Sequence, residues 1–205
     1  VSLRQIFVTL TILLSVGLLL GAYLGSSVLI LVSIGVFLGL IYSAPPIRAK
    51  RNGWLGNASV AISYEGLAWL AGHVTFAPLT FSSILIAILY SVGAHGIMSI
   101  NDYKSISGDT AAGIRSIPVL YGPKKAAWLI IITMNLAQFA VVATFFYWEL
   151  WLTAWILVAI SLVQLPQQQK FLKHPVEYHL KFSAIGVSFY VWGMMVAAIG
   201  LRVLS

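Results

Sequence analysis

A chain of 205 residues in which 60% are hydrophobic, only 8% are charged and the mean hydropathy is +0.96 cannot build a water-soluble surface, since soluble domains carry about 25% charged residues. The absence of cysteine excludes disulfides and cysteine-ligated metals. A crossing of roughly 30 Å of hydrocarbon takes about 20 apolar residues, and seven stretches of that kind predict an all-α polytopic membrane protein, with spans near 5–23, 27–44, 57–77, 82–100, 126–147, 150–166 and 183–201. The first, "VSLRQIFVTLTILLSVGLLLGAYLG", is too long for a signal-peptide core and has no cleavage site. It lacks an initiator Met, and further chain is expected before it. The second span ends at Pro45 and Pro46, and Arg48, Lys50 and Arg51 follow at once. The third is the weakest, interrupted by Tyr64, Glu65 and His73. The fourth runs directly into "MSINDYKSISGDTAAGIRS", where two of the chain's five acidic residues stand together.

With the N-terminus placed in the cytoplasm, eleven of the twelve Lys and Arg residues fall on the cytoplasmic side and only Arg202 falls outside. This is the positive-inside pattern. The net charge of +7 is thereby a matter of topology and needs no nucleic acid, although anionic lipid or an anionic substrate would also be drawn to that face. The outer connections, near 24–26, 78–81 and 148–149, are short. The cytoplasmic ones, 45–56, 101–125 and 167–182, are long and polar, and function is expected there. No internal repeat or second domain is visible, so 1–205 reads as one transmembrane domain.

Asp102 and Asp109 lie seven residues apart, which on a continuing helix puts them on one face about 10 Å apart along the axis; a bend at Gly108 would bring them closer. With the amide oxygen of Asn101 they form a set of hard oxygen donors suited to Mg²⁺, which binds one or two carboxylates and completes its shell with water and phosphate. Lys104 and Arg115 would then hold phosphate oxygens. A solvated loop with ordinary surface charges fits the spacing equally well. The Arg48–Arg51 cluster is either a membrane anchor or an anion cradle at the mouth of a cavity. Glu65, ionised inside a span, costs roughly 2.5–3.5 kcal/mol and is expected to face a cavity or a partner. His95, seven before Asp102 and so on nearly the same helix face, has three available roles: a substrate contact, a ligand to a pigment metal, or a hydrogen bond to a neighbouring helix. Gly93 and Gly96 permit close approach of another helix or a flat ligand.

"YSAPPIRAKRNGWLGN", "SYEGLAWLAG" and "YSVGAHGIMSINDYKSISGDTAAGIRSIPVLYG", covering 42–122, resemble the bacteriochlorophyll and chlorophyll synthases, intramembrane prenyltransferases of the UbiA superfamily. The resemblance implies a UbiA-type helical bundle in a cytoplasmic, photosynthetic membrane, with its active-site loops cytoplasmic. It implies transfer of a geranylgeranyl or phytyl group from its diphosphate to the propionate carboxylate of a (bacterio)chlorophyllide, with Mg²⁺ as cofactor. Asn101, Asp102 and Asp109 match the second of the family's two aspartate-rich motifs, with Asp102 and Asp109 catalytic. Arg48, Lys50, Arg51, Lys104 and Arg115 match diphosphate-binding positions, and Tyr64, Glu65 and His95 are expected near substrate. The first motif, NDxxDxxxD, has no counterpart here, and Ser107 and Thr110 stand where Asp or Glu and Arg are expected. The resemblance therefore implies seven spans out of nine, in an N-terminally incomplete copy or a shortened relative. The rival expectations are a non-catalytic pigment-binding or assembly subunit of a photosynthetic complex and, less fittingly, a small transporter using Glu65.

Overall fold

A computed structural model of the protein describes residues 2–203. Among these residues there is no strand, and the helices form seven long runs. Helices α1 (Leu3–Leu24) and α2 (Ser26–Ser43) make a hairpin about Gly25, whose φ of 127° only glycine adopts readily. Ser2 opens α1 with a capping box: its hydroxyl accepts from the Gln5 amide and its own amide donates to Gln5 Oε1. The third run joins α3 (Gly53–Ala61), a π-helical turn (Ile62–Leu67) and α4 (Ala68–Phe76). The fourth joins α5 (Phe81–Met98), a 3₁₀ segment (Ser99–Ser105) and α6 (Ile106–Ala111), and the short α7 (Ile117–Tyr121) comes next. Helices α8 (Pro123–Tyr147) and α9 (Trp151–Lys173) are continuous, and α10 (Pro175–Lys181) passes through a π turn (Phe182–Gly186) into α11 (Val187–Leu201).

Five of the seven runs are long and apolar enough to cross a membrane: α1, α2, Phe81–Ala111, α8 and Pro175–Leu201. The other two, 53–76 and 151–173, coincide with expected spans but carry more polar side chains, including Asn57, Glu65 and His73 in one and Gln164, Gln167 and Gln168 in the other. The polar connections expected at 101–125 and 167–182 are themselves largely helical. Helix α9 does not stop at 166 but runs on to Lys173 through Pro166, because the Gln and Lys residues beyond it are good helix formers.

The core lies among α5, α8, α9 and α11, where Ile86, Tyr90, Ile130, Met134, Phe145, Phe171, Phe182 and Tyr190 are buried. Small residues set the closeness of this packing. A Cβ on Gly93 would collide with the Tyr190 ring, and one on Gly96 with Thr133. Both glycines therefore admit a helix rather than a flat ligand. Between α8 and α9, Asn135 and Gln168 exchange two amide hydrogen bonds of 2.9 and 2.8 Å, the kind of polar pairing that joins helices in lipid. Tyr190 Oη donates to the Tyr90 carbonyl at 2.7 Å, and the two rings meet edge-on at 5.2 Å. Tyr190→Phe keeps the ring contact and is expected to cost about 1 kcal/mol, read as a small drop in thermal unfolding temperature in detergent.

Candidate active site

The polar residues of the third run are aimed by its π turn. A π turn inserts an extra residue into the helical repeat and rotates the residues beyond it, a device frequent at functional sites. Here it covers Ile62–Leu67 and carries Tyr64 and Glu65. Both line a cavity of about 690 Å³ bounded by α2, α3 and the start of the 3₁₀ segment, together with Tyr42, Ser59, Ser63 and Asn101. Glu65 thus meets a cavity, and no cation lies within 4 Å of it among the described residues. Asn101, a lining residue, directly precedes Asp102, which ties the acidic segment to this cavity through the chain.

The run Phe81–Ala111 is 31 residues long, about 46 Å at helical rise, so its far end projects beyond roughly 30 Å of hydrocarbon. That end carries the acidic pair. Asp102 is half-buried and its carboxyl is raised to about 6, by burial first and by Asp109 second, with Lys104 pulling the other way. Ser105 Oγ lies 3.0 Å from Asp109 Oδ2 and donates to it, and is 3.2 Å from the Asp102 carbonyl. A half-buried Asp102 whose charge Asp109 opposes, with Asn101 next to it in the chain, is a donor set that a divalent cation relieves. Among the described residues no third His, Cys, Asp or Glu joins them. The set fits Mg²⁺, which leaves most of its shell to water and phosphate.

The basic loops meet through the main chain. The Gly53 amide donates to the Arg115 carbonyl at 2.8 Å, and the Arg115 amide donates to the Arg51 carbonyl at 3.0 Å, an isolated bridge between Asn52 and Arg115. Asn52 caps α3, its side chain accepting from Trp54 and Leu55 amides. Arg48, at φ 45°, sits in the left-handed region that non-glycine residues seldom occupy. On the other side, Ile114 donates to the Asp109 carbonyl at 2.8 Å. The Arg48–Arg51 turn, Arg115 and the acidic segment therefore form one connected rim. Arg48, Lys50, Arg51, Lys104 and Arg115 are all exposed, and among the described residues none has a carboxylate within 4 Å.

His95 is not part of this rim. Its Nε2–H donates to the Trp54 carbonyl at 3.1 Å and its ring stacks on Trp54 at 5.4 Å. It opens onto a separate apolar groove of about 570 Å³ between α3, α5 and α8. Of the three roles open to it, the structure supplies the hydrogen bond to a neighbouring helix. The heptad spacing to Asp102 misleads because the helix tightens after Met98: a 3₁₀ segment turns about 120° per residue instead of 100°. Ser107 is exposed, and Thr110 bonds back to the Ile106 carbonyl at 2.7 Å. Sequence reasoning missed Tyr42, Ser59, Ser63 and Ser105. Ser105 was detectable, as it stands four residues before Asp109 on a helical segment.

Comparison with known proteins identifies the family and the fold. The UbiA prenyltransferase family pattern matches residues 1–192. The chain is 49% identical to the bacteriochlorophyll synthase 34 kDa chain of Chloroflexus aurantiacus over 98% of its own length and 65% of that protein's. It is 40% identical to the bacteriochlorophyll synthase 33 kDa chain of Cereibacter sphaeroides, over 92% and 62% of the two chains. It is 37% identical to the chloroplastic chlorophyll synthase of Avena sativa, over 96% and 53%. The chain thus spans between half and two thirds of the length of these relatives. Its fold matches a solved structure of a digeranylgeranylglyceryl phosphate synthase in membranes with a TM-score of 0.71, at 20% identity, over 98% of this chain and 70% of that one. An all-helical membrane bundle with this rim, matched by the family pattern over nearly its whole length, belongs to the UbiA prenyltransferase family.

Proposed function

We propose that the protein transfers a geranylgeranyl or phytyl group from its diphosphate to the propionate carboxylate of a (bacterio)chlorophyllide. The observation that carries this reading is the connected rim of five cations and two carboxylates at one end of the cavity holding Tyr64 and Glu65. The similarity to bacteriochlorophyll and chlorophyll synthases supplies the acceptor.

Arg48, Lys50, Arg51, Lys104 and Arg115 bind the diphosphate, Arg side chains pairing two oxygens at a time. They counter the charge that grows on the diphosphate as the C–O bond to the allylic carbon breaks. Asn101, Asp102 and Asp109 would hold Mg²⁺, which would supply positive charge to the leaving diphosphate. The pigment carboxylate attacks the allylic carbon, forming the ester and releasing diphosphate. Gly35, Leu38, Gly39, Val60 and Met98 give the cavity apolar walls, which keep water from intercepting the allylic cation. Tyr64 and Glu65 orient the pigment from the π turn. The rim faces the cytoplasm, a reading that the concentration of Lys and Arg in these loops supports.

Arg115→Ala tests the cation rim cleanly, because Arg115 is attached by main-chain bonds that alanine retains. It is expected to lower kcat/KM for the prenyl diphosphate about 100-fold. The decisive assay is esterification of bacteriochlorophyllide by the full-length protein in membranes, with and without Mg²⁺. Pigment that binds but is never esterified would overturn the reading in favour of a pigment carrier.

A further inference from the structure

A second basic feature shares no residue with the rim and is given no part in the transfer reaction. Helix α8 begins and helix α9 ends at the same end of the bundle, and between them lies a cleft of about 550 Å³. Lys124 and Lys125 line it from α8, and Lys173 from the end of α9. Among the described residues none of the three has a carboxylate within 4 Å. The one acidic side chain in the cleft, Glu177, is turned to His174 at 3.9 Å. Three lysines from two helices thus line one cleft without a carboxylate partner, like charges whose mutual repulsion an entering anion relieves.

Surface lysines alone would mark only the side of the membrane. Two further observations make this a lipid site. Tyr121 and Val176, both substantially exposed, give the cleft an aromatic and apolar wall beside the cations. Trp128, one helical turn inward from Lys124, is 55% exposed on α8. Exposed Trp on a spanning helix anchors at the headgroup boundary, which puts the cleft at headgroup depth. We propose that this cleft binds the phosphate headgroup of an anionic membrane phospholipid, with Lys124, Lys125 and Lys173 on the phosphate and Tyr121 and Val176 against the glycerol and upper acyl chain.

The test uses the full-length protein in mild detergent, with native mass spectrometry counting retained lipid after addition of phosphatidylglycerol or phosphatidylcholine. No prenyl diphosphate is present, so the outcome is independent of the transfer reaction. Wild type is expected to retain phosphatidylglycerol selectively. Lys125→Gln with Lys173→Gln is expected to weaken that retention about fivefold per lysine, while Lys181→Gln, outside the cleft, leaves it unchanged. All three positions are exposed, so the substitutions should spare the fold, and unchanged prenyl transfer in the variants verifies this. Equal retention of both lipids, retention indifferent to the double substitution, or displacement of phosphatidylglycerol by millimolar inorganic phosphate would each overturn the proposal, the last by making the cleft a site for free phosphate.

Discussion

Asp102→Asn in the full-length protein is expected to cut bacteriochlorophyllide esterification about 1000-fold while leaving stability unchanged or slightly improved. The two halves of this result have one cause. Asp102 is half-buried beside Asp109, and its carboxyl is raised from 3.8 to about 6. A folded-state value above the unfolded one means that the charged form is penalised in the native protein at pH 7. Removing that charge therefore relieves the fold, and under the proposed mechanism the loss falls on the hold over the cation that would serve the diphosphate. Esterification in isolated membranes, with a parallel thermal melt, measures both. A drop in activity accompanied by collapse of the melt would mean that Asp102 serves structure instead, and normal turnover would remove it from the mechanism.

Gly53→Ala is the second substitution with a large expected effect, although Gly53 is not proposed to touch substrate. A Cβ there would lie 2.7 Å from the Ile117 amide nitrogen and 3.0 Å from both the Arg115 carbonyl oxygen and the Ser116 carbonyl carbon. These are main-chain atoms, so no rotamer change relieves the clash. The Gly53–Arg115 hydrogen bond must open and the two basic loops must separate by a fraction of an ångström or more. Misplacing binding groups by about 1 Å can cost 100-fold in rate, and a loss of that order in kcat/KM for the prenyl diphosphate is expected. Gly108→Ala is the control. Nothing lies within 4 Å of its Cβ position and it sits in α6, so activity should hold and the helix gain up to about 1 kcal/mol.

The parts of this protein that lipid dictates were legible in its sequence. Each expected span coincides with a helical run, five of them long and apolar enough to cross a membrane, because a chain in hydrocarbon has few ways to satisfy its backbone, and Pro45 and Pro46 do end α2. The gathering of Asp102, Asp109 and the basic loops at one end was also legible, since two successive spans return the chain to the face it left. Local departures from the ideal helix were not. Nothing in "ISYEGL" announces a π turn, so Glu65 could be assigned a cavity or a partner but not a direction. The change of pitch after Met98 has no compositional mark either, and it separates His95 from Asp102. The Asn52–Arg115 bridge joins residues far apart in sequence through amides that every residue type possesses, with Gly53 as its only side-chain trace.

That bridge has an evolutionary corollary. A fastening made of peptide groups is indifferent to the identity of the side chains it carries. Cations on either segment can be exchanged, lengthened or neutralised while the two stay in register, provided position 53 keeps its bare α-carbon. Selectivity for the departing headgroup can thus drift by single substitutions, none of which has to rebuild the entrance.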